Sequence, residues 1–223
     1  MAGIDVFDHF ALEYDHWFEE HATEYALELE AVRRLLPPGK GVEIGSGTGR
    51  FAAPLGVSLG VEPARAMREI AAERGVNSIA GTAESLPLAD NEYDYALFVT
   101  TVCFLDSPEA AFREAFRILR PGGSIVVGMI DRDSVLGRQY RQKQARSRFY
   151  RDAVFYSVED VQRDLHAAGF RNMETLQTLL PGHGGEKYVP ALKPSIRQGI
   201  RPGYGEGSFF VMRGRKAVTE TSG

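Results

Sequence analysis

Two acidic residues flank a glycine-rich stretch in a pattern that suits a ligand-binding turn. Glu43 is followed by glycines at alternate positions, Gly45, Gly47 and Gly49, and a second acid, Glu62, comes 19 residues after Glu43. Because glycine has no side chain, such a turn lets the backbone approach a ligand closely. A carboxylate at the position of Glu62 can accept hydrogen bonds from both hydroxyls of a ribose. The stretch therefore indicates a ligand with a nucleoside part.

The residues beside the turn discriminate between ligand classes. The dinucleotide fingerprint G-x-G-x-x-G needs its third glycine at position 50, which is Arg50. The sequence contains no G-x-x-x-x-G-K-[ST] phosphate loop. The negative charge of Glu43 would repel a pyrophosphate, whereas it would favour a ligand that carries a sulfonium and an ammonium group. A nicotinamide-dependent oxidoreductase is accordingly the weakest functional alternative.

The elements that must position this turn alternate between strands and helices. Apolar runs predict strands at 41–45, 57–62, 76–80, 93–99, 124–130, 170–180 and 207–213. Helices between them are indicated by apolar residues at helical spacing and by capping residues. Such alternation predicts parallel strands joined by right-handed crossovers. The final strand follows its predecessor without a helix, so we expect it to run antiparallel. Ligands of such sheets bind at the carboxyl ends of the strands, where the strand order reverses.

Five stretches, taken in order, carry a family resemblance. They are VEIGSGTGRF (42–51), LGVEPARAM (59–67), AGTAESLPL (80–88), YDYALFVTTVCFLD (93–106) and EAFRILRPGGSIVVG (114–128). Together they resemble the class I S-adenosylmethionine-dependent methyltransferases. The resemblance implies an α/β, Rossmann-like three-layer sandwich with a seven-stranded, mostly parallel sheet whose last strand is antiparallel. It also implies S-adenosyl-L-methionine as cofactor and S-adenosyl-L-homocysteine as product.

The same resemblance assigns roles to residues at the strand ends. The implied cofactor-binding residues are Glu43, Gly45, Ser46, Gly47, Glu62, Pro63, Met67, Thr82, Ala83, Glu84, Thr100 and Thr101. Those of the turn would line the methionine and ribose parts, and Glu62 would hold the ribose diol. Pro63 and Met67 would pack against adenine, although Met67 equally suits the core, since methionine fills irregular apolar gaps. Thr82 stands where relatives often have Asp, and a hydroxyl binds the adenine amino group more weakly than a carboxylate.

Three segments can reach the carboxyl ends of the strands and meet a methyl acceptor. They are an N-terminal helical cap at 1–38 and two longer segments at 131–156 and 181–206. We expect one methyltransferase domain over 1–216 and a disordered tail at 217–223.

Methyl transfer does not require a protein nucleophile, because proximity and desolvation can supply much of the acceleration. The sequence shows no catalytic triad. No catalytic residue is assigned; the candidates are Tyr14, His183 and Tyr188, of which His183 is the candidate general base. His183 titrates nearest to neutral pH, but loop histidines are more often solvent-facing, and Tyr14 equally suits an aromatic helix face packed on the core.

Composition excludes several classes of protein. A single cysteine, Cys103, excludes an internal disulfide framework and a multi-cysteine zinc site, and the histidines lack metal-ligand spacing. We therefore predict no metal. No apolar run approaches the roughly 20 residues needed to cross a bilayer. The N-terminal sequence also lacks a secretion signal, so we expect a cytoplasmic protein without membrane partners.

The favoured hypothesis is methyl transfer to a small-molecule acceptor, with a nitrogen nucleophile as one candidate. The net charge of −4 argues against broad nucleic-acid binding. Residues 138–151 nevertheless carry six basic and no acidic side chains, which keeps an RNA or protein acceptor open as an alternative. A catalytically silent S-adenosylmethionine-binding regulatory or assembly protein is a third reading. Oligomeric state is not predicted.

Overall fold

The computed structural model describes residues 4–179 and 199–217. Within them the strands are β1 Gly41–Ile44, β2 Leu59–Val61, β3 Asn77–Ile79, β4 Tyr93–Val99, β5 Leu119–Ile130, β6 Phe170–Thr178, β7 Arg201–Pro202 and β8 Phe209–Lys216. The helices are α1 Ile4–His9, α2 Ala11–Glu20, α3 Ala22–Leu35, α4 Ala52–Leu55, α5 Arg65–Glu73, α6 Pro108–Ile118, α7 Val135–Lys143 and α8 Val158–Ala167. Short 3₁₀ turns lie at Val102–Phe104 and Gln144–Arg146.

All eight described strands form one sheet in the order β3-β2-β1-β4-β5-β8-β6-β7. The first five strands in chain order pair in parallel, whereas β8 lies between β5 and β6 and is antiparallel to both. The predicted Rossmann-like sheet with an antiparallel last strand is thus confirmed. The strand in excess of the seven predicted is β7, which has two residues and pairs with the edge of β6. A strand so short, and containing a proline, has no periodicity that could reveal it.

Helices cover both faces of the sheet. On one face α6 and α8 pack through residues such as Phe112 and Leu165, both fully buried. On the other face α3 packs through Val32, with α4 and α5 beside it. Continuous apolar strands such as β4 are buried from both sides, as their sequence predicts. These layers leave the carboxyl ends of the parallel strands free to build a site.

Local capping signals explain where the helices begin and end. Ser107 accepts a hydrogen bond from the backbone of Ala110 at the start of α6, and a full capping box opens α8. Gly75 ends α5 with a φ of +78°. The helix predicted after the glycine turn is only the single turn α4, because Gly56 terminates it in the left-handed region. Residues 121–123 lie inside β5, where the register against β4 shifts.

The N-terminal part of the chain forms three helices. The longest of them, α3, lies against the sheet and packs on it through Val32 and Leu35. The shorter helices α1 and α2 cross the carboxyl ends of the strands. No helix in the described ranges combines the length and apolar character needed to span a membrane.

Candidate cofactor and acceptor site

A cleft opens where the direction of strand order reverses. From β1 the chain continues to β2 and β3 on one side, whereas β4 and β5 extend the sheet on the other. The cleft is lined by the residues that follow β1, β2 and β4, and by Ile4, Phe7 and Tyr14 from the helices above. This is the position at which doubly wound sheets bind their ligands.

The glycine turn after β1 forms the floor of the cleft. Gly45, Gly47 and Gly49 have φ values of +70°, +50° and +78°, which favour glycine. A Cβ on Gly45 would lie 2.3 Å from Cγ2 of Thr101, so packing requires glycine there. A Cβ on Gly47 would meet no atom within 4 Å. Gly47 therefore exposes backbone to the space where a ligand would lie.

Glu62, directly after β2, is held in place by the backbone. Its Oε2 accepts a hydrogen bond from the Gly47 amide at 3.0 Å, and its Oε1 accepts one from the Ala64 amide at 2.9 Å. Burial raises the pKa of Glu62, and these two amides oppose the shift. Each carboxylate oxygen can accept more than one hydrogen bond. The fixed carboxylate can thus also receive hydroxyl groups of a ribose.

Glu43 is a buried acid with an unsatisfied oxygen. Its side chain is 2% exposed, and its Oε2 has no hydrogen-bond partner among the described residues. Burial, reinforced by the charge of Glu62, raises its pKa well above the ordinary value, although the Ala52 amide opposes this. The carboxylate borders a narrow extension of the cleft beside Gly47. A buried acceptor without a partner is costly, so the site fits a ligand that brings a cationic donor, such as an ammonium group.

The structure brings most of the other predicted cofactor residues to the same place. Lining the cleft are Gly45, Gly47, Glu62, Pro63, Met67, Thr82, Ala83, Thr100 and Thr101. Ser46 lies in the narrow extension and shares a hydrogen bond with the hydroxyl of Ser78 at 2.8 Å. Met67 is only 1% exposed and packs against Ala11 and Ala64, so it is at once a core residue and part of the wall.

One predicted cofactor residue, Glu84, is placed elsewhere. The Glu84 carboxylate accepts a hydrogen bond from the Asp106 amide at 3.0 Å, and in the described structure it does not line the cleft. It holds the loop before α6. His183 and Tyr188 lie outside the described residues, as does most of the segment 181–206.

Thr100, the residue after β4, has an unusual backbone. Its φ is +53°, a left-handed conformation that is uncommon for a residue with a branched side chain. Its amide donates to the Gly128 carbonyl at 2.8 Å, which holds the turn against β5. The side chain lies beside Tyr14. Burial raises the pKa of Tyr14 far above the ordinary value, although a hydrogen bond with the Thr100 hydroxyl opposes this shift. Tyr14 consequently stays protonated at neutral pH and is unsuited to act as a general base.

Helices α1 and α2 roof the cleft and are anchored to it. Phe7 meets Tyr14 and Phe104 edge to face, with ring centroids 5.5 and 5.0 Å apart. Asp8 accepts a hydrogen bond from the Ala66 amide at 2.8 Å, which joins α1 to the start of α5. Sequence reasoning did not single out Phe7 or Asp8, because neither breaks the pattern of an ordinary amphipathic helix.

A second cavity of about 200 Å³ lies next to the cleft, and Tyr14 and Thr100 border both. Its walls are largely aromatic. They include Trp17, Phe18, Tyr140, Phe149 and Tyr150. These aromatic residues lie in two of the segments expected to meet the acceptor, 1–38 and 131–156, but sequence reasoning did not single out the buried acid Glu28 on α3. The signal was present, since Glu28 lies three, four and seven residues before the buried Ala31, Val32 and Leu35.

The basic residues between 138 and 151 lie on α7 and the turns after it. Arg148 pairs with Glu13 and lies 4.0 Å from the ring centroid of Phe10, so it ties this segment to α2. Arg138 donates to the Asp133 carbonyl. These arginines thus have intramolecular contacts. In the described ranges no group of three or more His, Cys, Asp or Glu side chains is arranged to hold a metal.

Comparison with known proteins agrees with this geometry. A family model described as a methyltransferase domain matches residues 42–127. An uncharacterized protein of Methanocaldococcus jannaschii is 40% identical over 213 residues, which are 96% of this chain and 100% of that protein. The crystal structure of an S-adenosylmethionine-dependent methyltransferase from Thermotoga maritima, described as a possible histamine N-methyltransferase, is 47% identical with a TM-score of 0.87. That alignment covers 95% of this chain and 99% of the Thermotoga chain.

A more distant structure shares the fold alone. Phosphoethanolamine N-methyltransferase 2 of Haemonchus contortus, in complex with S-adenosyl-L-methionine, is 16% identical with a TM-score of 0.58 over 85% of this chain and 52% of that one. Fold, cleft and relatives together place this chain in the class I S-adenosylmethionine-dependent methyltransferase family. Its cofactor is S-adenosyl-L-methionine.

Proposed function

We propose that the chain transfers the methyl group of S-adenosyl-L-methionine to a small-molecule acceptor with a nitrogen nucleophile. The observation that carries this proposal is the adjoining pair of cavities that meet at Tyr14 and Thr100. One has the residues for a nucleoside and a cationic amino-acid part, and the other is an adjoining space of about 200 Å³. A cavity of that size suits a small molecule and cannot enclose a folded protein or an RNA.

The chain's contribution to such a transfer is binding and orientation. When bound, S-adenosyl-L-methionine supplies an electrophilic methyl on a positively charged sulfur. The acceptor nitrogen would use its lone pair to form the new carbon–nitrogen bond while the carbon–sulfur bond breaks. The electron pair of the broken carbon–sulfur bond would stay on sulfur, which would give the neutral thioether of S-adenosyl-L-homocysteine. Glu62 and Gly47 would fix the cofactor, and the aromatic walls would exclude water from the acceptor.

The Thermotoga maritima relative supports a nitrogen acceptor. That protein is described as a possible histamine N-methyltransferase, and it is 47% identical to this chain. Histamine and other small amines are therefore the first acceptors to test. The purified chain would be incubated with S-adenosyl-L-methionine and each amine, and S-adenosyl-L-homocysteine and the methylated amine would be measured by mass spectrometry. Equal amounts of the two products are expected. Cofactor binding without turnover of any amine would favour the silent regulatory reading.

A further inference from the structure

The second cavity contains a buried acid without a described cationic partner. Glu28 is 4% exposed and borders the cavity from α3. In the described part of the chain its carboxylate has neither a hydrogen bond nor an ion pair. Burial, reinforced by the negative charge of Glu24, raises the pKa of Glu28 to about 8. An acid withdrawn from water without a partner lowers stability, so a compensating role in binding is expected.

The groups around Glu28 supply no positive charge to the cavity. Glu13 and Glu20, from α2, are further acids on its wall. Glu13 pairs with Arg148, and Glu20 lies 3.7 Å from the ring of His16. The two phenols are neutral, since burial raises the pKa of Tyr140 to about 12 and raises that of Tyr150 well above its ordinary value. The described lining contains no lysine, arginine or histidine. Glu28 therefore has no cationic partner in the described lining, and a bound ligand could supply one.

The remaining walls suit a flat, cationic ligand. The rings of Tyr140 and Tyr150 are stacked with centroids 5.3 Å apart and an interplanar angle of 20°. Aromatic faces attract ammonium groups and stack on flat rings. An apolar cavity of roughly 150 Å³ accepts benzene. The second cavity, with a volume of about 200 Å³, thus accommodates one ring with a short substituent.

We propose that this cavity is the acceptor subsite and takes an amine attached to a single aromatic ring, which binds as its ammonium ion with Glu28 as the counter-charge. The ammonium group passes one proton to the Glu28 carboxylate, which frees the nitrogen lone pair for attack on the methyl group. The inference rests on the proposed methyl transfer and adds the acceptor class and a residue that determines specificity. Tyr14 and Thr100 separate this subsite from the cofactor cleft, so an occupant lies next to the cofactor. Glu28 acts by compensating charge, which an uncharged acceptor of the same shape could not use.

Trp17 gives a direct readout, because it is the single tryptophan of the chain and lines the cavity. Full-length protein loaded with S-adenosyl-L-homocysteine would be titrated with 2-phenylethylamine and with the neutral 2-phenylethanol, and Trp17 fluorescence recorded. We expect the amine to bind at least about tenfold more tightly than the alcohol. Glu28→Gln should abolish that preference. Glu30→Gln, which removes an acid of the same helix that does not line the cavity, should retain it.

Calorimetry with S-adenosyl-L-homocysteine separates this inference from the proposed function. The Glu28→Gln variant should bind S-adenosyl-L-homocysteine within about twofold of the unmodified chain, because Glu28 does not line the cleft. Equal binding of amine and alcohol by the unmodified chain, or a retained preference in Glu28→Gln, would overturn the acceptor assignment. The first of these outcomes does not depend on how the variant folds. Failure of the unmodified chain to bind S-adenosyl-L-homocysteine would instead overturn the proposed function.

Discussion

The guanidinium of Arg50 binds the carboxylate of Asp15 through two hydrogen bonds, Nε to Oδ1 at 2.8 Å and Nη2 to Oδ2 at 2.5 Å. Arg74 and the hydroxyl of Thr48 donate to the same carboxylate at 2.7 and 2.6 Å. Asp15 belongs to α2, whereas Thr48 and Arg50 belong to the glycine turn. The residue that breaks the dinucleotide fingerprint therefore joins the roof of the cleft to its floor.

Asp15→Asn should weaken this junction. The single oxygen of an amide cannot accept the hydrogen bonds that Arg50, Arg74 and Thr48 donate to the carboxylate. We therefore expect a loss of about 2 kcal/mol in the free energy of unfolding at pH 7. Burial alone would raise the pKa of Asp15. The hydrogen bonds from Arg50, Thr48 and Arg74 outweigh it and lower this pKa to about 2, against an ordinary 3.8. Its stabilisation is thus complete above pH 4 and is lost as the pH falls toward 2. Urea unfolding at pH 7 and pH 3 would measure the difference.

The matched control for this prediction is Glu19→Gln. Glu19 also receives a hydrogen bond from Arg50, at 3.0 Å, but its side chain is 61% exposed. Exposed pairs of this kind are screened by solvent and contribute little to stability. If Glu19→Gln destabilised the chain as much as Asp15→Asn, the burial of the Asp15 network would not explain its strength.

Glu62→Gln should weaken cofactor binding about tenfold, or by about 1.4 kcal/mol. The carboxylate accepts from two backbone amides, and a glutamine would turn an N–H group toward one of them. Calorimetric titration with S-adenosyl-L-methionine would give the affinity. Glu69→Gln, which alters an exposed acid paired with Arg65, should leave it unchanged. Unchanged affinity in Glu62→Gln would remove the ribose role from this residue.

Gly47→Ala and Gly56→Ala form a matched pair. Both glycines have a positive φ, of +50° and +76°, and a Cβ on either would meet no atom within 4 Å. Each substitution should therefore cost a similar 1 kcal/mol or so of backbone strain. Only Gly47 borders the cofactor cleft. We expect Gly47→Ala alone to reduce S-adenosyl-L-methionine affinity, by about tenfold, while urea unfolding shows comparable destabilisation of both. Equal affinities would place the ligand away from the turn.

Glu28→Gln should change how stability depends on pH. In the folded chain the pKa of Glu28 is about 8, against an ordinary 4.5. Between these values the unfolded chain releases a proton that the folded chain keeps, so stability falls as the pH rises, by up to about 1.4 kcal/mol per unit. Glutamine removes this term. The difference in the free energy of unfolding between Glu28→Gln and the unmodified chain, measured with urea, should grow in favour of the variant from pH 5 to pH 8 and then level off.

Glu30→Gln provides the comparison on the same helix. Glu30 pairs with Arg34 at 3.2 Å near the surface, so its replacement should leave the pH dependence between 5 and 8 unaltered. Parallel pH profiles for the unmodified chain and Glu28→Gln would show that the buried acid ionises normally.

The sheet and the cofactor cleft were predictable because their signals are local. Strands such as β4 are buried on both faces and appear as continuous apolar runs, and the cleft residues follow the strands in chain order. The second cavity was not predictable as a unit. It combines α2, α3 and the segment around Tyr150, and each part has an ordinary amphipathic pattern of its own. Similarly, neither Asp15 nor Arg50 indicates the other, since 35 residues separate them.

The border formed by Tyr14 and Thr100 has a consequence for how such a chain can diversify. In the proposed function, the polar contacts for the cofactor would come from turns after β1 and β2, whereas the second cavity draws on helices and on the segment around Tyr150. Exchanging aromatic or acidic residues in that second set would then redirect the chain to a new acceptor while the methyl donor stays the same. The two halves of the proposed reaction would be encoded in separate parts of the sequence and could be engineered one at a time.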